Sequence, residues 1–274
     1  MLTWLVMIDL SVVIVSWNTT DLLRDCLASL LAQGNAKELA IIVVDNASSD
    51  GTAAMVQREF PQVHLIRNDR NLGFARANNQ GIRNSQGRFI MLLNSDTRTP
   101  SGSIRTLVEF MAGHPDAGVV GPRLVQPDGT VQAYGFGNDP TPGYLLRRGL
   151  SRLLLRRPLH DWQTDQIQRV DWVSGACLLA RHAAVEQVGL LDEAMFMYYE
   201  DNDWCLRIRQ AGWNIYYDPL VSVVHLRGRS LAQNPAAHQA YYRSLQVFYR
   251  KHYAPVARAC LRIGLTVHRL IGKQ

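Results

Sequence analysis

The sequence predicts an α/β protein built on a mainly parallel sheet flanked by helices, and three observations predict it. Short apolar, β-branched runs recur at Leu10–Ser16 and at residues 39–44, 63–66 and 89–93, the pattern of strands buried on both faces. Segments of helical periodicity separate these runs, so strand and helix alternate every ~20–25 residues, as in βα units. Two of the runs also end in an acid, Asp45 and Asp96, at the carboxyl edge where such sheets bind ligands.

Taken in order, residues 21–31 follow the first strand with Leu22, Leu23, Cys26, Leu27, Leu30 and Leu31 on a helical spacing, and Thr20 or Asp21 suits the N-cap. A polar loop, residues 45–52, leads from the second strand into a helix that runs through Phe60. After the third strand comes a helix of small residues, 73–84. The fourth strand precedes a helix at 101–111 and a short apolar segment at 118–121. The pattern then changes. Pro127-Asp128-Gly129 signals a hairpin turn, 135–142 is a Gly/Pro-rich loop, and 144–160 holds five arginines and no acid. Residues 170–179 resemble a strand, 183–188 a short helix and 213–224 another strand, while an acidic, aromatic stretch at 197–210 enters a helix. From 237 onward the chain reads as one helix.

The 274 residues suffice for one large α/β domain with a tail, or for two small domains. A hydrophobic share of 47% with 19% charged is ordinary for a globular protein, and the net charge of +6 matters through its distribution. Cys26, Cys177, Cys205 and Cys260 form no C-x-x-C pair. That disfavours a zinc site or disulfide framework and predicts buried, inert thiols in a reducing compartment. Residues 1–8 are apolar but lack a basic leader, so no signal peptide is expected. No run reaches the ~18 apolar residues of a membrane span, which places the catalytic region in the cytoplasm. A dinucleotide-binding oxidoreductase is disfavoured, because Ser16-Trp17-Asn18-Thr19-Thr20 stands where G-x-G-x-x-G would follow the first strand. A nucleotidyltransferase is disfavoured by the lack of a glycine-rich, lysine-bearing loop there. No nucleic-acid reader motif accompanies the basic charge.

The chemistry resides in three acidic clusters on separate stretches. Asp96 closes Phe89-Ile90-Met91-Leu92-Leu93-Asn94-Ser95-Asp96, a rigid mount from which a carboxylate can hold a divalent cation against phosphates. Asp45 and Asn46 end the second strand, and Glu200-Asp201-Asn202-Asp203 forms the third cluster. Taken singly each signal has a plain alternative: a helix cap for a strand-end Asp, turn chemistry for Asn46 and Asp50, a satisfied strand-end imidazole for His225. Together they point to one site for a nucleotide, a metal and a reacting hydroxyl.

Seven segments carry a closer likeness: residues 12–18, Val43-Val44-Asp45-Asn46-Ala47-Ser48-Ser49-Asp50-Gly51-Thr52, residues 71–81, Leu92-Leu93-Asn94-Ser95-Asp96, Val173-Ser174-Gly175-Ala176, residues 199–207, and His225-Leu226-Arg227-Gly228-Arg229-Ser230. Over residues 10–230 the chain resembles inverting glycosyltransferases of family 2, and among them the bacterial rhamnosyltransferase-type members that build cell-surface polysaccharide. The resemblance implies the GT-A fold, a Rossmann-like mixed sheet. Its catalytic domain would span 1–230, divided near 120 into a nucleotide-binding half (10–120) and an acceptor-binding half (121–230), with a basic helical tail at 231–274.

It also implies roles. Ser16, Asn18 and Asp45 would contact base and ribose, Asn46 and Asp50 would order their loop, and Arg76, Asn78, Asn94 and Ser95 would lie along the donor. Asp96 would hold Mg²⁺ or Mn²⁺ with help from His225, because the family's D-x-D motif begins here with Asn94. Asp201 would be the base and Glu200 would contact the acceptor or orient the base. Asp203 would cap the helix or face the acceptor. Trp172, Ser174 and Gly175 would shape the sugar pocket, although Trp172 can equally fill the core and Arg76 can simply be solvated. dTDP-rhamnose is the first donor expected and a glycan or lipid-linked hydroxyl the acceptor. The alternatives are a UDP-sugar-dependent transferase of the same fold and a non-catalytic nucleotide-sugar-binding relative.

In the tail, Lys251, Arg258, Arg262, Arg269 and Lys273 fall in one arc of a continuous helix. This predicts either a solvated face on a helix packed against the domain or an interfacial helix drawn to anionic lipid, with residues 144–157 acting beside it.

Overall fold

The computed structural model describes residues 9–33, 39–151, 154, 160–226 and 237–271. Residues 1–8, Arg152, Arg156, Arg157, the motif residues 227–230 and Lys273 lie outside them, as do the side chains from 267 onward, Arg269 included.

The first half alternates as expected: β1 (Leu10–Ser16), α1 (Thr20–Leu31), β2 (Leu39–Asp45), α2 (Thr52–Glu59), β3 (His64–Arg67), α3 (Phe74–Arg83) and β4 (Phe89–Asn94). The strands run parallel in the order β3-β2-β1-β4. Ser16 is level with Asp45, and Val15 with Asn94, so the loops after β1, β2 and β4 emerge along one edge. Alternation along each strand feeds two cores. Val12, Ile14, Met91 and Leu93 meet Leu23, Leu27 and Leu30 of α1 on one face. Val13 and Leu92 meet Ala75 and Ile82 of α3 on the other. Helix α3 sits close because Gly81 lacks a Cβ, which would run into the Val13 side chain.

The second half comprises β5 (Thr97–Arg98), α4 (Ser103–Gly113), β6 (Ala117–Val125), β7 (Phe136–Gly137), α5 (Pro142–Leu150), β8 (Gln168–Arg169), β9 (Trp172–Val173), β10 (Cys177–Arg181), α6 (His182–Val188), α7 (Glu200–Gln210), β11 (Asn214–His225), α8 (Ala237–His252) and α9 (Pro255–Ile271). The sheet continues β4-β10-β6-β11-β5, with β10 antiparallel to both neighbours and β6 parallel to β11. β7 and β9 form a separate ribbon.

Several expectations change. The short segment at 118–121 is the nine-residue strand β6, and its glycines admit neighbours: a Cβ on Gly118 would meet Trp213, and one on Gly121 would meet Val173. The strand expected at 170–179 divides into β9 and β10 around a turn at 174–176. The tail is two helices, not one. Pro255 has no amide hydrogen to continue α8 and instead opens α9. The single basic arc therefore does not exist. Lys251 ends α8 and turns inward to Asp192 and Asp203, while Arg258 and Arg262 belong to α9. Cys26, Cys177 and Cys205 are buried, and burial pushes the Cys26 and Cys205 thiols up to about 12. Cys260 is exposed, against expectation. No described helix is long and apolar enough to cross a membrane.

Candidate active site

The level ends of β1, β2 and β4 bring the first group of candidates together. Ser16 Oγ lies 2.8 Å from Thr19 Oγ1, which lies 3.0 Å from Ser95 Oγ, so a buried hydroxyl chain joins the β1 and β4 ends. Asn18 and Asp50 tie the two flanking loops together. The Asn18 amide N–H donates to Ser48 Oγ, and Asn18 Oδ1 accepts from the Ser49 amide. Asp50 accepts from the Thr20 and Thr52 amides. Asp45 is buried beneath them, accepts from the Ser48 amide at 3.3 Å, and is pushed above the usual carboxylate range chiefly by burial. Asn46 uses its whole amide on the neighbouring segment, donating to Asn71 Oδ1 and accepting from the Leu72 amide and Asn68 Nδ2.

The second group forms where β5 pairs with the end of β11, His225 opposite Thr97. That pairing carries the imidazole across the chain to Asp96: His225 Nε2 lies 3.3 Å from Asp96 Oδ1 and 3.4 Å from Asn94 Nδ2. The ring's other nitrogen meets Gln132. Because the Gln132 NH₂ donates to the His225 carbonyl (2.5 Å) and the Val125 carbonyl, its Oε1 faces His225 Nδ1 at 2.9 Å. Nδ1 therefore carries a proton, and Nε2 is the ring atom that faces Asp96. A carboxylate oxygen and an imidazole lone pair facing each other repel unless a proton or cation lies between them. This donor set fits a divalent cation with its remaining positions filled by phosphate oxygens and water. Among the described residues no cluster of three or more His, Cys, Asp or Glu could hold a metal unaided.

The third group opens α7. Asp201 is half-buried, its Oδ2 accepting from the Gly175 amide at 3.0 Å and its Oδ1 from the Asn202 amide at 2.8 Å. Burial raises its pKa above the usual range. Glu200 is raised well above that range, first by burial and then by the Asp201 charge. Its Oε2 is buried without a hydrogen-bond partner, the kind of orphan that a ligand hydroxyl would satisfy.

The groups meet at the 174–176 turn. The Gly175 amide holds Asp201, and the next carbonyl, Ala176, accepts from the Asn94 amide at 2.9 Å. Asp201 and the Asn94–Asp96 segment are thus hung from opposite ends of one short turn. Ser174 shapes that turn, its Oγ accepting from the Ala176 amide. Trp172 is anchored beside it by donation to the Asn138 carbonyl. Left-handed backbone concentrates here as well. Of five such non-glycine residues described, Asn18, Ala47, Tyr198 and Tyr199 lie in loops that carry candidates.

Three expected residues are engaged elsewhere. Arg76 pairs with Glu193 at 2.9 Å, and Asn78 is buried and donates to the Phe74 carbonyl of its own helix. Asp203, expected at the helix cap or the acceptor pocket, is fully buried. Its carboxylate binds Arg207, Lys251 and His252, because α8 packs over that face. Conversely Gln132, Thr19 and Asn202 were not singled out in the sequence. Thr19 and Asn202 adjoin recognised motifs, but Gln132 lies far from every motif and is defined only by the return of the hairpin after Gly129.

Residues 11–171 match the model of glycosyl transferase family 2. Among relatives, the chain is 32% identical to an N-acetylglucosaminyl-diphospho-decaprenol L-rhamnosyltransferase of Mycobacterium tuberculosis, over 92% of this chain and 88% of that one. It is 28% identical to the dTDP-rhamnosyl transferase RfbF of Shigella flexneri, over 84% of this chain and 77% of that one. The fold is also that of GalNAc-T7, solved with UDP, GalNAc and Mn²⁺, at a TM-score of 0.60 and 17% identity. That match covers 80% of this chain but only 44% of the longer neighbour. Strand order, edge loops and family match agree: the chain belongs to glycosyltransferase family 2, an enzyme of the GT-A fold similar to rhamnosyltransferases.

Proposed function

We propose that the enzyme transfers rhamnose from dTDP-rhamnose, with inversion, to a hydroxyl of a glycan or lipid-linked acceptor in cell-surface polysaccharide synthesis, at the cytoplasmic face of the membrane. The observation that carries this reading is the 174–176 turn, which holds Asp201 on one side and the Asn94–Asp96 segment on the other.

Asp45, with Ser16 and Asn18, lines the floor on which base and ribose would rest, where a buried carboxylate accepts from a base N–H or sugar hydroxyls. Asp96 and His225 Nε2 would hold Mg²⁺ or Mn²⁺ against the diphosphate; when bound, the cation supplies Lewis-acid neutralisation of the leaving charge. Asp201 takes the acceptor proton as the acceptor oxygen bonds to the anomeric carbon and the bond from that carbon to the diphosphate breaks. Its two amide donors fix the carboxylate's direction, and its raised pKa makes it a stronger base than a solvated aspartate. The unpartnered Glu200 Oε2 is placed to bind a hydroxyl of the sugar or acceptor.

Transfer assayed with dTDP-rhamnose and a lipid-diphosphate-linked sugar tests the proposal. Asp201→Asn should abolish turnover while leaving donor binding intact, and normal turnover in that variant would remove Asp201 as the base. In a thermal-shift screen dTDP-rhamnose with Mn²⁺ should stabilise the protein most, by mass action. Stabilisation by UDP-sugars instead would move the donor to that class.

A further inference from the structure

Helices α5 and α9 lie against the cluster of Met195, Tyr199, Leu245, Phe248 and Tyr249, to which α5 contributes Leu145 and α9 contributes Ala257 and Leu261. Both helices carry a second set of apolar side chains on surface the protein leaves open. Leu146 and Leu150 of α5 stand four residues apart, on one row of the helix, and are 65% and 45% exposed, with Leu154 beyond them at 72%. Val256 and Ile263 of α9 stand seven apart, within ~20° around the axis, at 75% and 65%. Five of the nine exposed large hydrophobics among the described residues thus belong to this one region.

Its charge is of a single sign. Arg147 and Arg148 of α5 and Arg262 of α9 are exposed. Residues 140–160 and 219–274 contain neither Asp nor Glu. Outward-facing leucines flanked by arginines are unfavourable in water, but they suit the boundary between acyl chains and anionic head groups.

We propose that the α5–α9 face docks on an anionic lipid bilayer. The surface joins two elements 105 residues apart at Leu150 and Pro255, as the sequence suggested, but its tail part is α9 rather than one continuous basic helix, and its apolar side chains point outward. The face is also joined to the catalytic segment. Tyr199, in the cluster beneath it, immediately precedes Glu200, and Tyr249 donates to the Pro140 carbonyl two residues before α5 begins. A bilayer in contact with this face would therefore lie on the Glu200–Asp201 side of the molecule, where an acceptor carried on a lipid would arrive. The proposal does not depend on the identity of the donor.

The test is co-sedimentation of the full chain with vesicles of phosphatidylcholine alone or enriched in phosphatidylglycerol. The wild type should bind only the anionic vesicles. It should be released as salt rises from 0.1 to 1 M, which shortens the screening length from ~10 to ~3 Å. Leu146→Ser with Leu150→Ser should weaken binding by roughly tenfold per leucine, and Arg147→Ser with Arg148→Ser by roughly fivefold per arginine. Both double variants should keep the wild-type melting temperature and the wild-type stabilisation by dTDP, which separates this test from that of the donor site. A wild type that ignores anionic vesicles, variants that sediment as the wild type does, or a solution dimer dissolved by Leu146→Ser would each overturn the proposal.

Discussion

Asp203→Asn removes one charge from a fully buried position and nearly conserves shape. In the folded protein its carboxylate accepts from Arg207 Nε at 2.8 Å, Lys251 Nζ at 2.9 Å and His252 Nε2 at 2.6 Å. The side chains of Arg207 and His252 are only 17% and 9% exposed, so losing the carboxylate leaves buried donors without a counter-charge. Breaking one side of such a cluster destabilises by roughly 3–5 kcal/mol. At about 2–4 °C per kcal/mol for a chain of this size, the melting temperature should fall by roughly 10 °C. Lys251→Ala supplies the contrast. Lys251 is one-third exposed and shared with Asp192, so solvent screening leaves it about 0–1 kcal/mol. Thermal and urea unfolding followed by circular dichroism measures both. Transfer activity should fall with Asp203→Asn at temperatures where the domain is still folded, because the cluster pins α8 to the helix that bears Glu200 and Asp201. If Asp203→Asn lies within about 1 kcal/mol of the wild type, or Lys251→Ala costs as much, the reasoning from burial is wrong.

Other consequences can be checked independently. The raised pKa of Glu200 means that the folded state binds more protons than the unfolded one across the window from the usual carboxylate range up to the raised value. The stability this contributes is full below that window and lost as pH rises through it, so Glu200→Gln should flatten the pH dependence of unfolding. Because the Asp201 charge raises Glu200 and not the reverse, Glu200 is still neutral while Asp201 loses its proton, so the same substitution should leave the acid limb of the kcat/KM profile in place. The proposed pairing of Asp96 and His225 would supply only part of a coordination shell, so Mn²⁺ followed by electron paramagnetic resonance should bind weakly alone and much more tightly with dTDP; Asp96→Ala should erase that gain. Gln132→Leu, which frees the His225 ring, should weaken the nucleotide-dependent Mn²⁺ affinity by about 10–100-fold and also lower the melting temperature, because the Val125 and His225 carbonyls lose their side-chain donor. Gly81→Val, which drives a side chain into Val13, should destabilise by about 1–3 kcal/mol or more and leave pH profiles unchanged.

The first half of the chain was legible because its signals are local. A β-branched run followed by a 3.6-residue pattern specifies one βα unit, and the acid at the end of a run marks its carboxyl edge, as Asp45 and Asp96 did. The second half was less legible because its elements are set by partners distant in sequence. β6 extends over Gly118 and Gly121 only where Trp213 and Val173 pack on them. Asp203 looked like a site residue because it follows Asp201 by two, yet helical geometry and the packing of α8 bury it among cations. Pro255 was visible in the sequence and broke the tail, a local signal that the regular spacing of basic residues obscured.

By itself the sequence determined the alternation of strand and helix and which acids stand at strand ends, since these follow from spacing and local chain geometry, while its motifs carried the resemblance to the family. Only the tertiary structure decided that Gln132 and Asp96 bracket His225 from either side, that one turn joins the Asn94 end of β4 to Asp201, and that Asp203 pairs with cations of α7 and α8. Those arrangements depend on register between strands and on which helix covers which face, free energies of contact between residues tens to more than a hundred positions apart, and no local pattern encodes them.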